Sequence, residues 1–179
     1  MYDGAYAELP GYVITGNTFN VAGGGIYLYT DEFPYEIYDN CTCDFGGAVI
    51  DDNTFNDQAA GMDYGIGFEY YYFCYYTCDD STAIIGDVTI TNNRFYDLAD
   101  FAVYIYYDYM GHHMQGNAIL EVGELVIADN TVEGAGGDGL RVDYDAIESA
   151  YNSTVTMGSL DITGNNVTGV AGDGIYVYY

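Results

Sequence analysis

Apolar and polar residues alternate with period two in five segments of the chain, and all five follow one template. The template reads apolar-x-Ile-x-x-Asn-x-Phe or Val, and its copies are YVITGNTF, AVIDDNTF, VTITNNRF, LVIADNTV and LDITGNNV. Such alternation is typical of short β-strands, and the Gly and Asn residues that interrupt it mark tight turns. Helical patterning is absent. The pattern therefore predicts an all-β chain made of tandem repeats.

The template asparagines recur at intervals of 36, 40, 37 and 35 residues, at Asn17, Asn53, Asn93, Asn130 and Asn165. One repeat cannot bury its apolar face alone, so neighbouring repeats must stack to form a continuous core. The spacing predicts a β-solenoid of about five rungs that occupies residues 1–179 as a single domain. We expect each asparagine to lie at a bend with left-handed backbone angles and to stack with its copies in an amide ladder.

A second apolar run follows each template, as GIYLY from Gly25, AVYIY from Ala102, GLRVDY from Gly139, GIYVYY from Gly174 and a degenerate GMDYGIGF from Gly61. The inward positions are predicted to be Ile26 and Leu28, Met62 and Tyr64, Val103 and Ile105, Leu140 and Val142, and Ile175 and Val177. Surplus residues lie between this run and the next template, in segments 30–47, 71–86, 108–123 and 145–158. Insertions in repeat proteins collect on one side, which predicts lateral extensions there.

The pattern GIYLY, spacer, VIxxNxF resembles the repeat of right-handed parallel β-helix proteins, the group that includes pectate-lyase-like enzymes and periplasmic NosD-like proteins. The resemblance covers nearly the whole chain. It implies a right-handed parallel β-helix, and the coils of that group are commonly shorter than these repeats. A fold does not imply a function, so the resemblance alone assigns none.

The chain has 28 acidic residues, two arginines and no lysine, for a formal net charge of −26. This charge excludes nucleic acid as a partner, because phosphate neutralisation needs clustered Lys and Arg. No apolar segment is long enough for membrane insertion. Stacked repeats bring carboxylates close together, so salt or a divalent cation such as Ca²⁺ is expected to screen them; no other cofactor is expected.

The four cysteines are spaced by close to one repeat, because 33 residues separate Cys41 from Cys74 and 35 separate Cys43 from Cys78. Residues one repeat apart are vertical neighbours in a solenoid, within reach of a disulfide. We expect the pairs Cys41–Cys74 and Cys43–Cys78. A Cys₄ metal site is the alternative, although these spacings fit the usual zinc motifs poorly.

Export is indicated by the expected disulfides and by three Asn-x-Ser/Thr sequons, at Asn40, Asn152 and Asn166. These asparagines are candidate glycosylation sites. The first residues form no secretory signal, so the chain is either a processed mature form or a cytosolic protein. The cysteines and the charge favour the processed form, and a location outside the cell, in the cell envelope, is expected.

Tyrosine is unusually abundant, with 23 copies. The outward positions of the second run are predicted to form an assembly surface that consists of Tyr27, Tyr29, Tyr104, Tyr106, Tyr176 and Tyr178. Broad exposed aromatic surface usually marks an interface, and stacking against glycans is the competing use. The recurrence of these rows over several repeats favours contact with another protein, either a second copy or another envelope protein.

Enzymatic activity is not expected. Paired carboxylates could hydrolyse glycosides, and the candidate acids are Asp51, Asp52, Asp129, Asp138, Asp161 and Asp173. Acid pairs are expected by chance among 28 acidic residues, and no His forms a matching constellation. An acidic protein also repels acidic polysaccharides.

The strand GIYVYY reaches Tyr179 with no capping segment after it. If a second copy followed, 31 residues would separate Asn165 from the next Asn17, close to the internal repeat. We therefore expect head-to-tail stacking into a sheath, surface layer or filament, and the composition is loosely similar to that of archaeal sheath proteins of filamentous methanogens. A secreted carbohydrate-binding or polysaccharide-cleaving β-helix is the alternative.

Overall fold

Parallel β-structure accounts for the fold. The computed structural model describes residues 4–20, 24–31, 33, 36–56, 64–147 and 152–179, and within these ranges it contains 22 strands and no helix. The strands form five tiers, one for each template copy. The all-β prediction is confirmed.

Each tier contains four strands in the same order along the chain. The first tier consists of β1 (Tyr6–Leu9), β2 (Tyr12–Thr15), β3 (Thr18–Phe19) and β4 (Ile26–Asp31), and β5 (Glu36–Ile37) follows it. The second consists of β6 (Thr42–Phe45), β7 (Ala48–Asp51), β8 (Thr54–Asn56) and β9 (Tyr64–Tyr71), and β10 (Tyr76–Thr77) follows it. The third consists of β11 (Thr82–Ile85), β12 (Val88–Thr91), β13 (Arg94–Leu98) and β14 (Phe101–Asp108). The fourth consists of β15 (Ile119–Val122), β16 (Leu125–Ala128), β17 (Thr131–Ala135) and β18 (Leu140–Asp145). The fifth consists of β19 (Thr154–Met157), β20 (Leu160–Thr163), β21 (Asn166–Val170) and β22 (Ile175–Tyr178).

Equivalent strands of successive tiers pair in parallel and build four five-stranded sheets. Sheet A is β1-β6-β11-β15-β19, sheet B is β2-β7-β12-β16-β20, sheet C is β3-β8-β13-β17-β21 and sheet D is β4-β9-β14-β18-β22. Strands β5 and β10 form a separate parallel pair. The result is a parallel β-solenoid of about four turns between the first tier and the fifth, which confirms the predicted fold class.

Apolar side chains form vertical columns inside the stack. In sheet B one isoleucine from each tier lies in a single column, Ile14, Ile50, Ile90, Ile127 and Ile162. In sheet C the rings of Phe19, Phe55 and Phe95 stack at centroid distances of 4.7 and 4.8 Å. In sheet D the rings of Tyr70, Tyr107, Tyr144 and Tyr179 stack at 5.2, 5.1 and 5.0 Å. Burial of these columns against water is the main stabilising contribution to the stack.

The predicted inward positions are correct in four tiers and wrong in the second. Ile66 and Phe68 pair with Ile26 and Leu28 and are buried. Tyr64 instead lies with its ring against Tyr27 and Tyr104, at 5.7 and 5.5 Å. Met62 lies outside the described residues. The degenerate copy GMDYGIGF contains two candidate inward pairs, Met62 with Tyr64 and Ile66 with Phe68. Only the pairing with neighbouring tiers distinguishes between them.

The segments predicted as lateral extensions each contain a strand of sheet A, so this prediction is wrong in part. The inward residues of these strands share apolar character but not identity, for example Cys43 and Phe45 in the second tier and Leu120 and Val122 in the fourth. Packing requires apolar side chains at these positions and no particular residue, so no template recurs in the sequence. The surplus residues of each repeat thus contribute a fourth side of the coil, which accounts for the length of the repeat.

Close approach of backbones fixes the corner between sheets A and B. A Cβ atom on Gly47 would overlap the carbonyl oxygen of Asp87 in the next tier. The Gly47 carbonyl in turn accepts a hydrogen bond from the Tyr12 N–H at 2.9 Å. Glycine is needed here because any side chain would push the tiers apart.

Candidate functional site

The five template asparagines lie at the corner between sheets B and C, one in each tier. In every neighbouring pair the backbone N–H and Nδ2 of the earlier asparagine donate to Oδ1 of the later one, at 2.9–3.1 Å. Asn53, Asn93 and Asn130 are fully buried. Asn93 Nδ2 also donates to the Ile50 carbonyl at 2.9 Å. The column is thus a continuous amide ladder with a structural role.

The left-handed backbone angles fall one residue before the predicted position. The residues with positive φ at this corner are Gly16, Asp52, Asn92, Asp129 and Gly164, with φ between 52° and 68°. Gly, Asn and Asp tolerate this conformation better than other residues. The expectation that the ladder asparagines themselves adopt the left-handed conformation is wrong. The chain turns at the preceding residue, which directs the asparagine side chain towards the next tier.

The ladder has a direction, and its two ends differ chemically. Asn17 donates to the second tier, and no donor among the described residues reaches its own Oδ1. Asn165 accepts from Asn130, and its Nδ2 donates to the Ile127 carbonyl at 2.7 Å. Within the described ranges the Asn165 backbone N–H has no later asparagine to which it can donate. One end of the ladder offers an acceptor and the other offers donors.

The first and fifth tiers leave one side of every sheet unpaired within the described structure. Side chains that are buried in the central tiers are partly exposed here, and Ile175 is 50% exposed, whereas Leu140, its neighbour in the fourth tier, is buried. Carboxylates are scarce on the fifth-tier edge, where Asp161 is the only one in β19, β20, β21 and β22, whereas the first-tier strands carry Glu8 and Asp31. Natural edge strands are usually protected by charge, and the strands of the fifth tier have little of this protection.

Tyrosines cover the outer side of sheet D, as the sequence predicted for their positions. One column contains Tyr27, Gly67, Tyr104, Arg141 and Tyr176, and the next contains Tyr29, Glu69, Tyr106, Asp143 and Tyr178. Tyr27, Tyr29 and Tyr178 are about half exposed, and the other three tyrosines are partly covered by their neighbours. We call this surface the aromatic face.

Burial is the main cause of a raised pKa at several of these phenols, including Tyr27, Tyr104 and Tyr106. At Tyr106 a hydrogen bond to Asp108 is the next cause. These phenols therefore stay protonated at physiological pH and act as hydrogen-bond donors.

Arg141 is the only basic residue of the aromatic face. Its Nε donates to Asp143 Oδ2 at 2.8 Å, and its Nη1 lies 3.5 Å from Asp138 Oδ2. The guanidinium carbon lies 4.8 Å from the ring centroid of Tyr176 and 5.8 Å from that of Tyr104. Carboxylates and ring faces therefore fix the guanidinium in place.

A groove of about 350 Å³ runs across this face and is lined by Tyr104, Tyr106, Arg141, Asp143, Asp145, Tyr176 and Tyr178. Two nearly buried carboxylates adjoin it. Oδ1 of Asp143 and Oδ1 of Asp108 accept no hydrogen bond from the described residues. Burial, and then the charge of Asp145, raises the pKa of Asp108. The groove offers aromatic surface and hydrogen-bond acceptors, which suits a neutral polar ligand or an aromatic side chain.

The candidate catalytic acids lie at two corners of the coil, between sheets B and C and between sheets C and D, and on β20. Asp51 accepts hydrogen bonds from Thr91 and Asn92, each at 2.8 Å, and these bonds lower its pKa. Asp138 accepts the backbone N–H of Asp173 at 2.7 Å. Asp52 lies 3.4 Å from Arg94 on the surface. Asp129 occupies a left-handed bend position, and Asp161 is an exposed residue of β20. The hydrogen bonds of Asp51 and Asp138 therefore stabilise the corners between tiers.

The four cysteines are buried free thiols, and the predicted disulfides are not supported. Thr42 pairs with Thr82, so the repeat is 40 residues long at this point. The vertical neighbour of Cys43 is accordingly Ala83, and the Cys41 N–H donates to Ser81 Oγ at 3.2 Å. Intervals of 33 and 35 residues do not correspond to one tier, so the predicted partners are not vertical neighbours.

Burial dominates the chemistry of these thiols. It raises the pKa of Cys43, Cys74 and Cys78. Cys78 Sγ accepts a hydrogen bond from Gln115 Nε2 at 3.2 Å. Protonated thiols in a packed interior behave as small apolar side chains.

The sequon asparagines are exposed. Asn40 and Asn152 have φ of 59° and 63° in the links that precede sheet A, and Asn166 begins β21. Across the described ranges no group of three or more His, Cys, Asp or Glu side chains is arranged to hold a metal ion, which leaves the Cys₄ alternative without support. No helix of membrane-spanning length and hydrophobicity occurs in the same part of the chain.

The structure supports the family resemblance only at the level of architecture. The resemblance to right-handed parallel β-helix repeats is correct as far as the parallel β-solenoid, and neither pectate-lyase-like, NosD-like nor archaeal sheath identity has further support. No protein-family model, curated protein or solved structure matches this chain.

Proposed function

We propose that this protein is a structural component that assembles with copies of itself, by head-to-tail stacking of its tiers, into an extracellular sheath, surface layer or filament of the cell envelope. The observation that carries the proposal is the chemistry of the two end tiers. Both present unpaired parallel strands and partly exposed apolar columns, and the strands of the fifth tier carry only one carboxylate, Asp161, in a chain whose net charge is −26. Strand edges of this kind pair readily with another strand.

A second copy fits these edges because the fifth tier matches the shape of the first. Both consist of four short strands in the same order, and the repeat already stacks on itself within the chain. Burial of exposed side chains such as Ile175, Leu9 and Tyr179 would provide the driving force. Repulsion between copies opposes assembly, so salt or Ca²⁺ should favour it.

An extracellular setting is supported by the absence of lysine, the high acidity and the exposed sequons. The buried free thiols withdraw the support that disulfides would have added.

Electron microscopy and sedimentation velocity of the purified 179-residue chain test the proposal, with NaCl and CaCl₂ varied separately. We expect elongated particles with a 4.8 Å strand repeat and an axial repeat of about 24 Å, the height of five tiers at roughly 4.8 Å each. Length should increase with ionic strength. A monodisperse species of 19.6 kDa at every salt concentration would contradict self-assembly.

The groove on the aromatic face favours one second candidate, a carbohydrate-binding protein. Tyr104, Tyr176 and the carboxylates of Asp143 and Asp145 line a groove of about 350 Å³, and sugars bind to such combinations of ring faces and acceptors. Saturable binding of neutral oligosaccharides by the wild type, abolished in Tyr176→Ala, would favour this function. Assembly in the absence of sugar would favour the structural one.

A further inference from the structure

We infer the register of the junction between copies: Asn165 of one copy lies directly below Asn17 of the next, so that the amide ladder runs through the assembly. The inference rests on the proposed head-to-tail stacking and specifies which residues meet there. Three independent features of the end tiers lead to the same register.

The first feature is the direction of the ladder. Within the chain each earlier asparagine donates to Oδ1 of the later one, at 2.9–3.1 Å. Asn165 therefore carries the donors that the ladder needs next, and Asn17 Oδ1 is the matching acceptor. Two fifth tiers brought together would oppose donors to donors, and two first tiers would oppose acceptors to acceptors. Only the head-to-tail arrangement continues the hydrogen bonds.

The second feature is the match of apolar columns. With Asn165 below Asn17, six inward residues of the fifth tier meet apolar residues of the first tier. The pairs are Val155 with Ala7, Met157 with Leu9, Ile162 with Ile14, Val167 with Phe19, Ile175 with Ile26 and Val177 with Leu28. A shift of one residue would exchange inward and outward faces and place Asp161 against Ile14.

The third feature is the arrangement of charge on the outer side. In this register Asp161 faces Val13, which is 74% exposed, and Glu8 faces Thr156. No carboxylate of the described end strands faces another. Inside the solenoid like charges do meet, because Glu8 pairs with Asp44 and Asp108 pairs with Asp145. The junction is therefore less repulsive than contacts that the fold already tolerates.

A charge swap at the pair of Val13 and Asp161 tests the register. Val13→Asp places two carboxylates opposite each other across the junction, and directly opposed like charges destabilise strand pairing. We expect the protein concentration at half-assembly, followed by light scattering at fixed ionic strength, to rise about two- to fivefold. In the double variant Val13→Asp with Asp161→Lys, the concentration at half-assembly should return to the wild-type value or fall below it. Asp161→Lys alone should change this concentration little.

Val49→Asp is the matched control. Val49 occupies the same outward column one tier above Val13, and its neighbours are Val13 and Thr89 of its own chain. Val49→Asp adds the same charge away from the junction, so the protein concentration at half-assembly should stay close to the wild-type value. Circular dichroism of each variant at assembly-free concentration verifies folding.

A register shifted by two residues would instead bring Val13 opposite Thr163. The combination of Val13→Asp with Thr163→Lys therefore serves as the competing rescue. Assembly of the Val13→Asp variant at the wild-type concentration, or rescue by Thr163→Lys but not by Asp161→Lys, would overturn the register while leaving self-assembly intact. A wild-type chain that does not assemble would overturn both proposals.

Discussion

The central tiers and the end tiers are built from the same repeat but differ in what covers them. Asn93, in the third tier, is fully buried and bonded to the asparagines above and below, whereas Asn17, in the first, is exposed and bonded on one side only. Likewise, Phe95 is fully buried in the third tier, whereas Phe19 in the first tier is only half-buried. In a stacked fold the contribution of a residue thus depends on its tier as much as on its type. Matched substitutions in the two regions measure this difference.

The largest difference is expected for the phenylalanine column of sheet C. Phe95→Ala removes a fully buried ring that stacks on Phe55 at 4.8 Å, and should lower the free energy of unfolding by about 4 kcal/mol. Phe19→Ala, at the open end of the column, should lower it by about half as much, because its cavity opens to solvent. Urea denaturation of the monomeric form measures both, and equal effects would show that the end tier is covered.

The ladder should show the next largest difference. Asn93→Ala leaves the Asn53 backbone N–H and Nδ2 without the Oδ1 acceptor of the third tier in a buried site, and should cost about 3 kcal/mol. Asn17→Ala removes only a donor at the exposed end and should cost the monomer less than about 1 kcal/mol. Amide hydrogen exchange at Asn53 should accelerate in Asn93→Ala and stay slow in Asn17→Ala. Fast exchange in both would contradict a position-dependent ladder.

The two arginines allow a smaller test. Arg141 is held by Asp143 and by the rings of Tyr104 and Tyr176, so Arg141→Gln should destabilise the fold by about 1–2 kcal/mol. Arg94 meets Asp52 at 3.4 Å on an exposed surface, and Arg94→Gln should change stability by less than about 0.5 kcal/mol. Thermal unfolding in low and high salt measures both. If Arg94→Gln lowered stability more than Arg141→Gln did, and this loss depended on salt, the expected order of the two arginines would be wrong.

The smallest expected effect is a pH dependence from Asp108. Burial raises the pKa of Asp108 in the folded state above its unfolded value, so the folded state binds the proton more tightly, and this group destabilises the fold as pH rises through the folded pKa. Asp108→Asn should therefore stabilise the fold at pH 7 by about 1 kcal/mol and have little effect below the unfolded pKa of about 3.9.

Asp31 is the control for that measurement, because it lies in the same column of sheet D but is exposed in the first tier. Asp31→Asn removes one carboxylate at an exposed position and should change the melting temperature less than Asp108→Asn does at pH 7. A stabilisation by Asp108→Asn that is independent of pH would indicate a packing effect instead of a relieved charge.

The sequence was informative where one residue type must recur in every tier. Asn17 to Asn165 and Ile14 to Ile162 recur because an amide ladder and a narrow corner accept few alternatives, and their spacing predicts the tiers and the axis of stacking. The outward tyrosines of sheet D were found from the alternation within the second apolar run, although they do not recur in every tier. Sheet A was missed because its inward column, with Cys43, Ala83 and Leu120, has only apolar character in common.

Local alternation by itself determined that this chain forms strands, how many tiers it has, and which corner holds the ladder. Only the tertiary structure decided which residues meet between tiers outside the template, namely that Cys43 lies beside Ala83 and that Ile66, not Tyr64, fills the second tier. The physical reason is that register is set by hydrogen bonds between tiers. Links of variable length change which residues meet there without changing the alternation within any strand.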